Sequence, residues 1–274
     1  MAMPEQEQPT EEALVFALSQ DELYVALRYM EAPAPMELED FESRVFEDIP
    51  KSGRVAFLQA AERALLARQY LVPNQERKLQ MHPSVAQVLA VCARPELSWI
   101  VLHRAREQAE GAYYFHLREG LFVSHAIPLE KIHEFTVFPD SQPIQQLLVE
   151  LVAPVGAKAF SYPPGVISQE TFKTISEPSG VDGRDQIAQE LARVGLPTQT
   201  ADHFARSLES SGSVTVLTRI VHPDQGEPVP DSGMTIVFGD ETLWFIEPHG
   251  ADDLALRCAD PMELPEALDR LMTA

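Results

Sequence analysis

The sequence predicts an α+β fold, a pseudo-twofold duplicated helix-plus-antiparallel-meander unit whose copies form one central sheet flanked by helical bundles. Three observations predict it. Helical patterns precede runs of short strands instead of alternating with them, which is the α+β arrangement. The same order of elements occurs twice along the chain. Hydrophobic residues make up 45% of 274 positions, enough for a real core in a chain this long.

Residues 1–12 read as a flexible, solvated tail. Ala13–Leu18 is a short strand, and it runs into Ser19-Gln-Asp-Glu22, a capping-box pattern that starts a helix carrying Leu23, Leu27 and Met30. Pro33 and Pro35 end it. The strongest helix spans 54–71, where Val55, Leu58, Leu65 and Leu66 are expected to share an apolar face. A further helix covers Pro83–Ala93, with Val85, Val88, Leu89 and Cys92 inward. Alternation and aromatic content then predict a meander of Trp99–His103, Ala112–Leu117, Leu121–Ala126 and Glu134–Phe138. Pro143 opens the helix that carries Ile144, Leu147, Leu148 and Leu151.

The second half repeats the order. Lys158–Tyr162 reads as a strand, and Ile167-Ser-Gln-Glu echoes the apolar-Ser-Gln-acid entry at Leu18-Ser-Gln-Asp. Helices follow at 185–194 and 199–210, with Gly195 as the stop of one and Thr198 as the cap of the next. Ser213–Thr218, Met234–Gly239, Leu243–Glu247 and Leu254–Cys258 form a second meander, and a helix at 265–272 closes the chain. Leu121-Phe-Val and Leu243-Trp-Phe stand 122 positions apart, and Asp140 and Asp260 stand 120 apart. The halves are accordingly drawn at 13–153 and 154–274. Joining two meanders edge to edge removes two open edges, so one compact body is expected.

The net charge of −21 is spread evenly: 23 acidic and 13 basic residues up to Glu150 give −10, and 19 against 8 after it give −11. Such a field repels nucleic-acid backbones and anionic lipid, so neither is an expected partner. Two cysteines build no disulfide framework, and no apolar run approaches 18 residues. A cytoplasmic location is expected.

Catalytic signatures are missing: no phosphate-cradling glycine loop, dinucleotide fingerprint, nucleophile elbow or zinc helix occurs. No catalytic residue, metal ligand or cofactor is assigned. His103, His116, His125 and His133 fall on or beside the first meander and read as ordinary surface or half-buried side chains. His222 and His249 read as loop polar residues, each with an acid nearby. Ala188–Ser210 has the outline of a helix-turn-helix, but its second helix lacks the positive charge that DNA phosphates require. The feature singled out is the thirteen-residue connection Val221–Gly233, because hairpin loops normally take two to five residues. Its Val221, His222, Pro223, Pro228, Val229 and Pro230 are the candidate partner-binding residues.

The duplicated order, with Leu18-Ser-Gln-Asp-Glu-Leu23, Trp99-Ile-Val-Leu-His-Arg104, Tyr113-Tyr-Phe and Gly120-Leu-Phe-Val123, resembles the EspG family of type VII (ESX) secretion proteins. Gly212-Ser-Val-Thr-Val-Leu217, Leu243-Trp-Phe-Ile246 and the closing helix extend the resemblance over nearly the whole chain after residue 12. It implies a cytosolic chaperone that keeps helical secretion substrates soluble, with a long strand-connecting loop contributing to contact. Three readings follow. One is a non-enzymatic chaperone or adaptor for a helical protein partner. Another is an enzyme with a site at the interface of the two halves. The third is a structural homodimer formed through a leftover sheet edge.

Overall fold

Capping chemistry sets where the first helix starts. The computed structural model describes residues 15–38, 40–105, 111–129, 131–152, 156–176, 183–223 and 226–273; the expected tail at 1–12 and the start of the first strand lie outside them. Strand β1 (Val15–Ser19) ends on the Ser19 hydroxyl, which accepts from the Glu22 amide at 3.3 Å. The Glu22 carboxylate accepts in return from the Ser19 amide at 2.8 Å, and α1 (Gln20–Tyr29) follows. Ser19→Ala is expected to cost about 1 kcal/mol of stability, read as a lower urea midpoint at unchanged slope.

The chain continues through α2 (Phe41–Val45), α3 (Arg54–Ala67), a ribbon of β2 (Leu71–Pro73) and β3 (Leu79–Met81), and α4 (Pro83–Ala93). The first meander is β4 (Leu97–Ala105), β5 (Gly111–Arg118), β6 (Leu121–Leu129) and β7 (Ile132–Phe138), and α5 (Gln142–Val152) follows it. Then come β8 (Gly165–Ser168), α6 (Gln169–Ser176), α7 (Arg184–Arg193) and α8 (Thr198–Glu209). The second meander is β9 (Ser211–Val221), β10 (Val229–Gly239), β11 (Thr242–His249) and β12 (Asp253–Ala259), and α9 (Leu264–Thr273) closes the chain. The class is α+β, with helices and one large antiparallel sheet beside the β2–β3 ribbon.

Two units divide the chain. The first comprises Met1–Ala93 with Leu121–Pro139. Its strands run in the order β1-β7-β6, with Val15 opposite Thr136 and Ser19 opposite Ile132. One apolar cluster fills it, built from Leu18, Leu23 and Ala26 beside Leu65, Leu89, Cys92, Val123 and Phe135. The four residues expected inward on α4 are all buried. On α3 the expectation is corrected at Val55, which is 66% exposed, while Ala61 and Leu65 are the buried positions. Half-buried Phe57, Leu58 and Leu66 also pack against the cluster, so the helix meets the core from its first turn onward while Val55 faces away.

The second unit comprises Arg94–Gly120 with Asp140–Ala274, its strands in the order β5-β4-β9-β10-β11-β12-β8. One cluster joins Leu191 of α7 and Phe204 of α8 to Val237, Trp244 and Leu256 of the sheet. Elsewhere in the unit α5 packs with α9, and the Trp99 indole donates to the Leu271 carbonyl at 3.1 Å. At Gly239 the β9–β10 register shifts, and a Cβ there would sit 2.0 Å from the Ser207 carbonyl oxygen of α8. The helix therefore rests on bare backbone. Gly239→Ala is expected to destabilise by about 3 kcal/mol, the upper range for overpacking, and a thermal melt checks it.

Two sequence expectations fail in this unit. Lys158–Tyr162 is not a strand. Its polar groups are met singly: the Lys158 amide donates to Glu241 at 2.8 Å and the Cys258 thiol donates to the Phe160 carbonyl at 3.4 Å. Pro163 and Pro164 then supply no donors for a ladder, and pairing waits until β8. Thr198 is not a cap either: Pro197 takes that position with no side-chain bond, and Thr198 is the first helical residue. The stop at Gly195 holds, with φ at +101°, a backbone conformation that favours glycine.

Candidate partner-binding surface

Six of the thirteen residues expected as loop at Val221–Gly233 are strand: Val221 and Val229–Gly233. Val221 ends β9 and pairs with Val229, and Pro230 pairs with Ile220. Residues 222–228 make the connection, of which Asp224 and Gln225 lie outside the described residues. The alternation was hidden because Asp231 is a bulge: the register jumps between Pro230 and Ser232. Proline is tolerated there because β11 pairs with β10 only over Thr235–Gly239, leaving Val229–Met234 without that neighbour.

The six candidate residues divide between the two sides of the hairpin. On the β9 side, half-buried Val221 lies opposite Leu97, and the His222 amide donates to the Glu96 carbonyl at 3.0 Å. The His222 ring nitrogen Nε2 is 2.9 Å from Ser98 Oγ, and that hydroxyl is also 2.8 Å from His116 Nδ1. One hydroxyl proton serves one of these contacts, so the other ring donates to Ser98. On the β10 side Pro228, Val229 and Pro230 are exposed, Val229 at 55%, and Pro223 is exposed on the connection.

Sequence reasoning missed what stiffens this hairpin. Arg219 of β9 points inward with a side chain 9% exposed, and its Nη2 donates to Asp231 Oδ2 of the bulge at 2.5 Å. The signal was an arginine at an inward position of an otherwise Val/Leu/Thr alternation.

The four meander histidines are corrected as well: all are buried. Period-2 alternation places His125 two positions after Val123 and His133 two before Phe135, on the core side. In the first unit His125 Nδ1 bonds the Glu37 carboxylate, both side chains being 0% exposed, and His125 Nε2 lies 2.9 Å from His133 Nδ1. Burial first, and then the charge of His125, push His133 down to about 4, while Glu37 pulls the other way. In the second unit burial lowers the pKa of His103, whose Nδ1 is 2.8 Å from Thr215 Oγ1.

The first unit also carries an open groove of about 360 Å³ between α1 and α3, with Val25, Tyr29, Val55 and Leu58 as its apolar lining. The Tyr29 hydroxyl donates to Glu62 Oε2 at 2.9 Å across it. Outward-facing Val55 belongs to this groove.

No protein-family model matches the sequence, and no curated protein matches it. Among solved structures the chain is similar to the type VII secretion system chaperone EspG5 of Mycobacterium tuberculosis, solved in complex with the PE25–PPE41 dimer. The TM-score is 0.64 at 13% identity, over 93% of this chain and 96% of that one. At this identity the likeness is one of fold, and the fold is EspG-like.

Proposed function

We propose that this chain is a non-enzymatic binding protein, a chaperone or adaptor that holds a helical secretion-type protein partner in the cytoplasm. The observation that carries the reading is the near full-length likeness to a chaperone whose solved complex contains a protein dimer. The exposed start of β10 at Pro228-Val-Pro230 supports a contact surface on the β9–β10 hairpin. Among the described residues no helix is long and apolar enough to cross a membrane.

The duplication into halves at 13–153 and 154–274 belongs to the same reading. Local chemistry supports it. Strand β8 ends on Ser168 as β1 ends on Ser19, and the Ser168 hydroxyl accepts from the Thr171 amide at 3.1 Å. The first helical amide behind each serine donates to a turn carbonyl at 2.8 Å, Gln20 to Lys131 and Gln169 to Asp252.

The test is retention of a partner by the tagged protein from lysate of its source organism, beside a Val229→Asp variant. One stoichiometric helical partner, kept by the parent chain and lost from the variant, supports the reading. No stoichiometric partner overturns the chaperone assignment, and equal retention by both overturns the hairpin as its surface. Sedimentation at two concentrations separates this from the homodimer reading, which requires a mass that rises with concentration.

A further inference from the structure

The start of α1, the α2 segment and the β6–β7 turn line a cavity of about 230 Å³ in the first unit. Leu38 and Phe41 give it apolar walls, Arg44, Lys131 and Glu47 are its charged groups, and His133 is its most buried polar one, at 3% exposure. We propose that this cavity binds a small carboxylate with a short apolar chain, the His133 imidazole donating to it from Nε2 while Arg44 and Lys131 balance its charge.

Proton counting carries the argument. An ionised Glu37 only accepts, so His125 gives it the Nδ1 proton. The bond between His125 Nε2 and His133 Nδ1 then holds one proton. When His125 Nε2 donates in that bond, His133 Nδ1 accepts. His133 then keeps its own proton on Nε2, where it has no partner among the described residues. His133 lines the cavity, so a donor on a buried ring is left for an occupant.

Charge points the same way. In a chain of net −21 this cavity gathers two cations against Glu47. Lys131 is 3.5 Å from Asp48, but the Arg44 side chain has no hydrogen-bond or ion-pair partner among the described residues. Gln20, the first residue of the ten-residue α1, also lines the cavity. The apolar walls select a carboxylate with a few methylene groups over a bare inorganic anion.

The experiment titrates the intact protein with sodium butyrate at constant ionic strength, following histidine ring nitrogens by NMR. Butyramide and chloride serve as controls, and Arg44→Gln as the variant; Arg44 is exposed, so this change spares the core. The expected result is a saturable shift of His133 Nε2 with butyrate alone, weakened about tenfold or more in Arg44→Gln. No saturable shift, an equal response to butyramide or chloride, or undiminished affinity in the variant would each overturn the proposal.

Discussion

Trp244→Ala is expected to lower the unfolding free energy by about 3–5 kcal/mol, the cost of removing a buried indole and leaving the space unfilled. The side chain is fully buried in β11. It meets Phe204 of α8 edge-on at 5.2 Å between ring centroids and lies stacked with Tyr162 at 5.6 Å. Its indole also donates to Ser207 Oγ at 2.9 Å, so truncation removes that hydroxyl's buried partner. Equilibrium urea unfolding measures the effect as a fall in midpoint with an unchanged slope. Trp244→Phe separates the two contributions: it restores most of the volume and retains a deficit of about 1 kcal/mol for the lost hydrogen bond. A loss below about 1 kcal/mol for the alanine variant would mean that α8 does not close over this ring as described.

The second large effect is expected in acid. The His133 imidazole stands at about 4 in the folded chain against 6.5 when free, because burial and the neighbouring His125 charge disfavour its protonated form. The unfolded chain therefore binds this proton more readily. The stabilisation is complete above about pH 6.5 and is lost progressively as the pH falls towards 4, amounting to roughly 3 kcal/mol. Unfolding free energies of the wild type and His133→Gln between pH 7.5 and 4 isolate it, since titration of the other groups is common to both. The variant should lose roughly 3 kcal/mol less on acidification; parallel curves would remove His133 from the acid response.

What the sequence made legible were features written in neighbouring residues. The Ser19–Glu22 box, the inward face of α4 and the stop at Gly195 each depend on side chains within a turn or two of one another. The strands of both meanders were placed from alternation, aromatic content and the repeated order, and they run up to five residues longer at an end, because ladders extend wherever a partner strand continues. What depends on distant partners was not legible. Glu37 sits in a proline-flanked connection that reads as a solvated loop, and its partner His125 is 88 positions away. The four inward histidines look polar in sequence and become core residues only when paired, His125 with Glu37, His116 with Ser98, His103 with Thr215 and His133 with His125. Of the six hairpin residues, the division into a tethered β9 side and an exposed β10 side follows from pairing of Val221 with Leu97 and of His222 with Ser98, which no local pattern announces.

The short reach of β11 along β10 also bears on how such a surface is read. Beyond Thr235 the outer side of β10 has no strand beside it among the described residues, the position at which another chain ordinarily docks by extending a sheet. Here Pro230 removes a main-chain donor and the Asp231 bulge breaks the even spacing that a guest strand needs to stay in step. Pro248 of β11 deprives the facing side of a donor too. The hairpin is thus guarded against indiscriminate strand recruitment, the route to aggregation. A partner of the kind proposed would have to recognise its side chains rather than its peptide groups, so discrimination there rests on shape and chemistry instead of generic backbone affinity.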